Sequence, residues 1–209
     1  LNINEARAIK EKYKATDIVY IYGATECNLI AKIKLDEYIN HLQNKKIACL
    51  GTKALGVDIK NNDKNEIMVS SKAILRQYIA GERKNAFLDE AGTFWHKTGD
   101  SGRYTDEGLY YLGRFDVYAI KNSKKVHTNP IEQSLTIDFE TIKKCAFFYY
   151  NGKNRLYIES DKEPDFTSLR SYLLERGFAN VDMHRIKKLP CDKKHHTKID
   201  YRRLKIRLR

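Results

Sequence analysis

The stretch Phe94-Trp95-His96-Lys97-Thr98-Gly99-Asp100, continued by SGRYTDEGLYYL (101–112) and closed by Gly113-Arg114-Phe115-Asp116, decides how the rest of the chain reads. Two polar clusters, Thr98-Gly99-Asp100 and Gly113-Arg114-Phe115-Asp116, stand 13 residues apart, from Asp100 to Gly113. TDEG (105–108) between them is a turn signal flanked by aromatic and apolar residues, the pattern of a hairpin. A carboxylate such as Asp100 can accept both hydroxyls of a ribose. An arginine beside it, Arg114, complements a phosphate or the same sugar. Thr98-Gly99-Asp100 alone is an ordinary turn; the pairing with a second cluster says more.

Upstream, IVYIY (18–22) has the β-branched and aromatic content of a buried strand. It runs into Tyr22-Gly23-Ala24-Thr25-Glu26, where a glycine turn is followed at once by a hydroxyl and a carboxylate. That order suits a ligand at the carboxyl end of a strand in an α/β sheet. Thr25 can hydrogen-bond a phosphate oxygen, and Glu26 can coordinate Mg²⁺. The same residues also read as an ordinary strand-to-helix turn. Helices are expected over 4–15 and around 35–42, with a clear strand at EIMVS (66–70). Past Asp116 the texture changes. Thr128 and Pro130 suggest a cap and an early-helix proline for a helix from 130 to 138. CAFFYY (145–150), the turn NGKN (151–154) and RLYIES (155–160) form a hairpin. FTSLRSYLLER (166–176) is a helix stopped by Gly177. The chain therefore reads as α/β followed by α+β: residues 1–115, a hinge at Asp116, and a small domain over 116–209.

Composition bounds the function. The 209 residues carry a net charge of +12, and 42% hydrophobic content excludes a disordered chain. No apolar run is long enough for a transmembrane helix. Cys27, Cys49, Cys145 and Cys191 lie far apart without a CxxC pair, which argues against disulfides and structural zinc and for a reducing, cytoplasmic setting. Residues 181–209 hold 11 Lys and Arg against 3 Asp. Such a tail can attract nucleic acid, wall a phosphorylated ligand, or be a solvated face. A lysine there would neutralise charge developing in a phosphoryl transition state. Lys193, Lys194, Lys198, Arg202 and Arg203 are all available for it. His195 and His196 are adjacent and make a poor zinc pair. Only Tyr201 interrupts the basic tail, too few aromatics for base stacking, which argues against a nucleic-acid module. A non-catalytic structural module is the other alternative.

Taken in order, YGATE (22–26), WHKTGD (95–100) with GRYTDEGLYYLGRFD (102–116), KNSKKVHTNPIE (121–132) and LPCDKKHHTKID (189–200) resemble the motifs of the AMP-forming adenylating enzymes: acyl- and aryl-CoA synthetases, peptide-synthetase adenylation domains and luciferases. The resemblance implies the end of the large adenylating domain with a β-rich subdomain, then a small mobile C-terminal domain rotating about Asp116. It implies ATP-dependent activation of a carboxylic acid as an acyl-adenylate, with transfer to CoA or a carrier-protein thiol. By resemblance, Tyr22, Gly23 and Thr25 lie near the adenylate and phosphate, Glu26 binds magnesium, and Asp100 holds the ribose with Arg114 nearby. Lys198 matches the adenylation lysine, and the loop at Lys121–Lys125 serves thiol transfer. Ser123, Thr197 and Lys97 depart from the family pattern; Ser123 stands at a usual glycine and is expected to accept positive φ less readily. The family's phosphate loop has no counterpart before Tyr22. These residues are therefore expected to be the C-terminal portion of a larger enzyme, inactive without the remainder.

Overall fold

A computed structural model describes residues 1–14, 16–78, 85–192 and 198–206. It divides into two compact units, an N-terminal unit of residues 10–116 and a C-terminal unit of residues 117–209 joined by residues 1–9. The first helix, α1 (Ile3–Lys12), begins in the second of these. Residues 1–9 are thus grouped away from the 1–115 segment in which the sequence reading puts them. The cause is specific docking: Ile3 and Ala6 are buried, Asn2 and Asn4 donate to the carbonyls of Lys143 and Ile142, and Glu5 pairs with Lys144 at 2.9 Å.

The N-terminal unit continues with β1 (Val19–Ala24), β2 (Asn28–Lys34), α2 (Leu35–Lys45), β3 (Ala48–Cys49), β4 (Thr52–Lys53), β5 (Val57–Asn61), β6 (Glu66–Ser71), β7 (Ala86–Leu88), β8 (Phe94–Thr105) and β9 (Gly108–Arg114). β1, β2 and β4 form an antiparallel sheet; β3, β9, β8, β6 and β5 form a second, with β7 alongside β8. TDEG closes the β8–β9 hairpin, with Thr105 opposite Gly108. Ile30, Ala31 and Ile33 of β2 are buried, as are Leu35, Tyr38 and Leu42 on one face of α2. One expectation fails here. YGATE leads into a second strand, not a helix: β1 turns at residues 25–27 and pairs antiparallel with β2. NLIAKIK (28–34) alternates lysine with buried Ile and Ala, a strand period that the following helix-forming residues obscure.

The C-terminal unit holds β10 (Ala119–Lys121), β11 (Lys124–Val126), α3 (Asn129–Asp138), β12 (Lys144–Tyr150), β13 (Lys153–Glu159), α4 (Phe166–Glu175), β14 (Asp182–Ile186) and α5 (Tyr201–Ile206). β12 pairs antiparallel with β13, and β14 joins β13 in parallel. CAFFYY is continuously apolar because both faces of its strand are covered. Cys145 and Phe147 pack with Leu135 of α3 and Leu169 and Leu173 of α4, while Ala146 and Phe148 pack with Leu189 and Leu204 on the other side. Asn151 and Gly152 take positive φ in the hairpin turn, as Asn-Gly favours. Asp165 caps α4 by accepting from the Thr167 and Ser168 amides. Thr128 does not cap α3 with its side chain, contrary to expectation; the hydroxyl-bearing residue is already in a helical conformation and buried. Among the described residues no helix is long and apolar enough to cross a membrane.

Candidate functional site

The two clusters joined by TDEG become neighbours across the β8–β9 ladder, where Asp100 sits directly opposite Arg114. Arg114 Nη1 donates to Asp100 Oδ1 at 2.8 Å. The other oxygen, Oδ2, accepts from the Tyr22 hydroxyl, also at 2.8 Å, across 78 residues of sequence. Asp100 precedes a register shift between Ser101 and Gly102, and Tyr22 precedes another between itself and Gly23. Such bulges re-aim the side chains beside them. The Asp100 amide is in turn fixed by Thr98 Oγ1 at 3.2 Å, and that hydroxyl donates to the Ile67 carbonyl at 2.9 Å.

The electrostatics are consistent with a prearranged carboxylate. Burial pushes the Tyr22 phenol well above its ordinary value, and the Asp100 charge adds to it, so Tyr22 remains a donor. Burial acts against the Arg114 charge, but Asp100, Tyr111 and Asp116 together outweigh it and the guanidinium is held more firmly protonated. Gly99 takes φ +70°, and a Cβ there would stand 3.2 Å from Arg114 Nη2. A side chain at that position would crowd the guanidinium and strain the turn.

Gly23 has a different constraint. A Cβ at this position would fall on the Asn28 carbonyl oxygen, so only glycine lets β1 and β2 close at the bulge. Thr25 is exposed on the turn that follows. Glu26 is half-buried, and its Oε1 accepts from the Tyr78 hydroxyl at 2.6 Å while its carbonyl accepts from the Leu75 amide. A carboxylate completed by phosphate and water oxygens is a donor set that Mg²⁺ takes. Among the described residues no three His, Cys, Asp or Glu side chains group as a metal centre. The structure thus brings Tyr22, Asp100 and Arg114 into direct contact and puts Gly23, Thr25 and Glu26 on the strand end that carries Tyr22. Sequence reasoning missed Tyr78, the partner of Glu26; a tyrosine far along the chain with no motif around it gives no local signal.

Asp116 is exposed at the last position of the N-terminal unit. Lys198 belongs to the C-terminal unit and its residue is exposed. Lys193, Lys194, His195, His196 and Thr197 lie outside the described residues. The Lys121–Lys125 loop is the β10–β11 hairpin, with Asn122 at φ 47° and Ser123 at φ 62°. Ser123 therefore does adopt the left-handed conformation that glycine would take more easily. A cavity of about 920 Å³ in the C-terminal unit adjoins this hairpin, lined in part by Ile120, Asn122, Tyr149, Lys153, Arg170 and His184.

No protein-family model matches the chain. The D-alanine–D-alanyl carrier protein ligase of Streptococcus pneumoniae is 30% identical over 149 residues, which cover 65% of this chain and 28% of that protein. The amide bond synthetase McbA from Marinactinospora thermotolerans shares the fold with a TM-score of 0.78 at 17% identity, over 99% of this chain and 44% of its own. The o-succinylbenzoate CoA synthetase of Bacillus subtilis, solved with its acyl-adenylate intermediate, gives 0.71 at 19% identity, over 100% and 44% respectively. The chain spans less than half the length of each of these three proteins. In sequence and in fold, the chain thus resembles the AMP-forming adenylating enzymes, over less than half of their length.

Proposed function

We propose that this chain supplies the ribose-holding and lysine-bearing part of an enzyme that activates a carboxylic acid with ATP. The observation that carries the proposal is Asp100, a buried carboxylate held on both oxygens by Tyr22 and Arg114. A side chain fixed in that way is ready to accept two vicinal hydroxyls without reorganising. In the first half-reaction a substrate carboxylate oxygen bonds to the α-phosphorus of ATP, the bond from that phosphorus to the bridging oxygen breaks, and pyrophosphate leaves. Asp100 orients the ribose, with Arg114 near the sugar and phosphate, and Thr25 donates to a phosphate oxygen. Glu26 would hold Mg²⁺, which would offset phosphate charge. Lys198 neutralises charge between the two approaching anions.

The second half-reaction attacks the acyl carbon and releases AMP. The relatives act with different acceptors: a carrier protein, an amide-forming partner and CoA. The proposed acceptor here is a thiol, of CoA or of a carrier protein, approaching by the β10–β11 hairpin. The cavity beside that hairpin has Lys153, Arg170 and His184 on its walls against one carboxylate, Asp182, which pairs with Lys153 at 3.7 Å; that balance of charge supports an anionic acceptor arm. Rotation about Asp116 exchanges Lys198 for the hairpin between the two steps; the division of the chain after Asp116 supports that hinge. The cytoplasm, where ATP and reduced thiols are available, is the proposed setting.

Pyrophosphate exchange over a panel of carboxylic acids, in the protein that contains this chain, tests the reading. Exchange is expected with one class of acid, and Lys198→Ala is expected to lower it by about 10²-fold. Absence of exchange with every acid, or a Lys198→Ala variant as active as the parent, overturns it.

A further inference from the structure

Glu132 is a carboxylate buried in the C-terminal unit, a costly group to place where an apolar residue would pack as well. Its Oε1 accepts two bonds, from the Phe147 amide at 2.8 Å and from the Tyr201 hydroxyl at 2.8 Å. β12 is an edge strand of its sheet, and the Phe147 amide donates to Glu132 on α3. Tyr201 is the first residue of α5, three residues beyond Lys198.

The segment between is a short ladder. The Asp192 amide donates to the Lys198 carbonyl at 2.8 Å, the Lys198 amide donates to Asp192 Oδ1 at 2.9 Å, Cys191 bridges to Ile199, and the Asp200 amide donates to the Pro190 carbonyl at 2.8 Å. These bonds fix Lys198 relative to residues 190–192 but do not by themselves tie the ladder to the sheet. Two attachments do. On the incoming side the Leu189 amide donates to Glu159 Oε2 at 2.8 Å. On the outgoing side Tyr201 sets its ring edge-on to Phe148, with centroids 5.7 Å apart, its hydroxyl on Glu132, and Leu204 fully buried one turn later.

We infer that Glu132, acting through the Tyr201 hydroxyl, is a positioning residue that sets where Lys198 stands relative to the rest of the C-terminal unit. The inference rests on the reading of Lys198 as the adenylation lysine. Leu204 and the Tyr201 ring would hold α5 against the sheet without any carboxylate. A directional bond to a buried oxygen adds what packing does not, one rotation and one depth for the helix start. A lysine displaced by about 1 Å loses up to about 10²-fold in rate.

Tyr201→Phe is the clean variant, because it keeps the ring on Phe148 and removes only the hydroxyl. In the protein containing this chain, it is expected to lower kcat for pyrophosphate exchange between about 10- and 100-fold with KM for ATP unchanged. In the chain itself, amide exchange at Lys198 and Ile199 is expected to quicken while that of the β12–β13 ladder is unchanged. Glu132→Ala should reproduce the kcat loss, and Glu132→Gln, which retains an acceptor oxygen, should recover most of it. If Glu132→Ala fails to fold, Tyr201→Phe and Glu132→Gln carry the test. Unchanged kcat in Tyr201→Phe while Lys198→Ala is inactive overturns the inference and leaves the adenylation reading intact. Unchanged kcat in Lys198→Ala overturns the adenylation reading itself, whatever Tyr201→Phe does.

Discussion

Tyr22→Phe removes the donor to one oxygen of the buried Asp100 carboxylate and leaves Arg114 on the other. An unsatisfied buried acceptor costs about 1–3 kcal/mol, so the urea midpoint should fall by that equivalent. Glu132 makes a different prediction, because burial raises its pKa from an ordinary 4.5 to about 7, against the pull of the Phe147 amide, the Tyr201 hydroxyl and the Lys144 charge. Below the unfolded value both states hold the proton and the full stability is present. Between that value and about 7 the folded state retains a proton that the unfolded chain has released, so stability falls as pH rises. The loss amounts to about 3 kcal/mol and levels off above the folded value. Denaturation midpoints measured from pH 4 to 8 should show that slope, and Glu132→Gln should flatten it. The Asp100–Arg114 pair was legible in the sequence because a turn signal lay midway between the two clusters. Tyr22 on Asp100, Tyr78 on Glu26 and Tyr201 on Glu132 were not, since a hydrogen bond over 50 residues or more leaves no periodicity to read.

The β10–β11 hairpin carries two consecutive residues at positive φ, and one of them is Ser123. A non-glycine residue there costs about 1–2 kcal/mol. Ser123→Gly should therefore raise the melting midpoint by the equivalent of about 1 kcal/mol after the greater chain entropy of glycine is subtracted. A lowered midpoint would mean that the serine makes an interaction worth more than its strain. Elements with short-range chemistry were readable in this way: Asn151-Gly152 announced its hairpin, and Gly177 marked the end of α4. β2 was not, because its lysines on one face and small apolar residues on the other also suit a helix, and antiparallel pairing with β1 decided the matter. Nor was the grouping of α1 with the C-terminal unit, which depends on the Asn2, Asn4 and Glu5 contacts near residues 142–144.

At the scale of the molecule, four motifs in register located the fold, and the chain spans only part of the length of the proteins it resembles. The chain covers 28% of its carrier protein ligase relative and 44% of each of the two adenylating structures. Residues 1–209 alone are accordingly expected to give no pyrophosphate exchange with any acid, a result that exchange above a no-enzyme control would refute. Nucleotide binding asks less of the chain than catalysis does, because it needs only the ribose centre. Calorimetric titration of the chain with AMP therefore tests the central claim most directly. Saturable binding in the parent, lost in Asp100→Ala with its circular dichroism unchanged, is the expected result. Equal binding by both proteins, or none by either, would contradict the account.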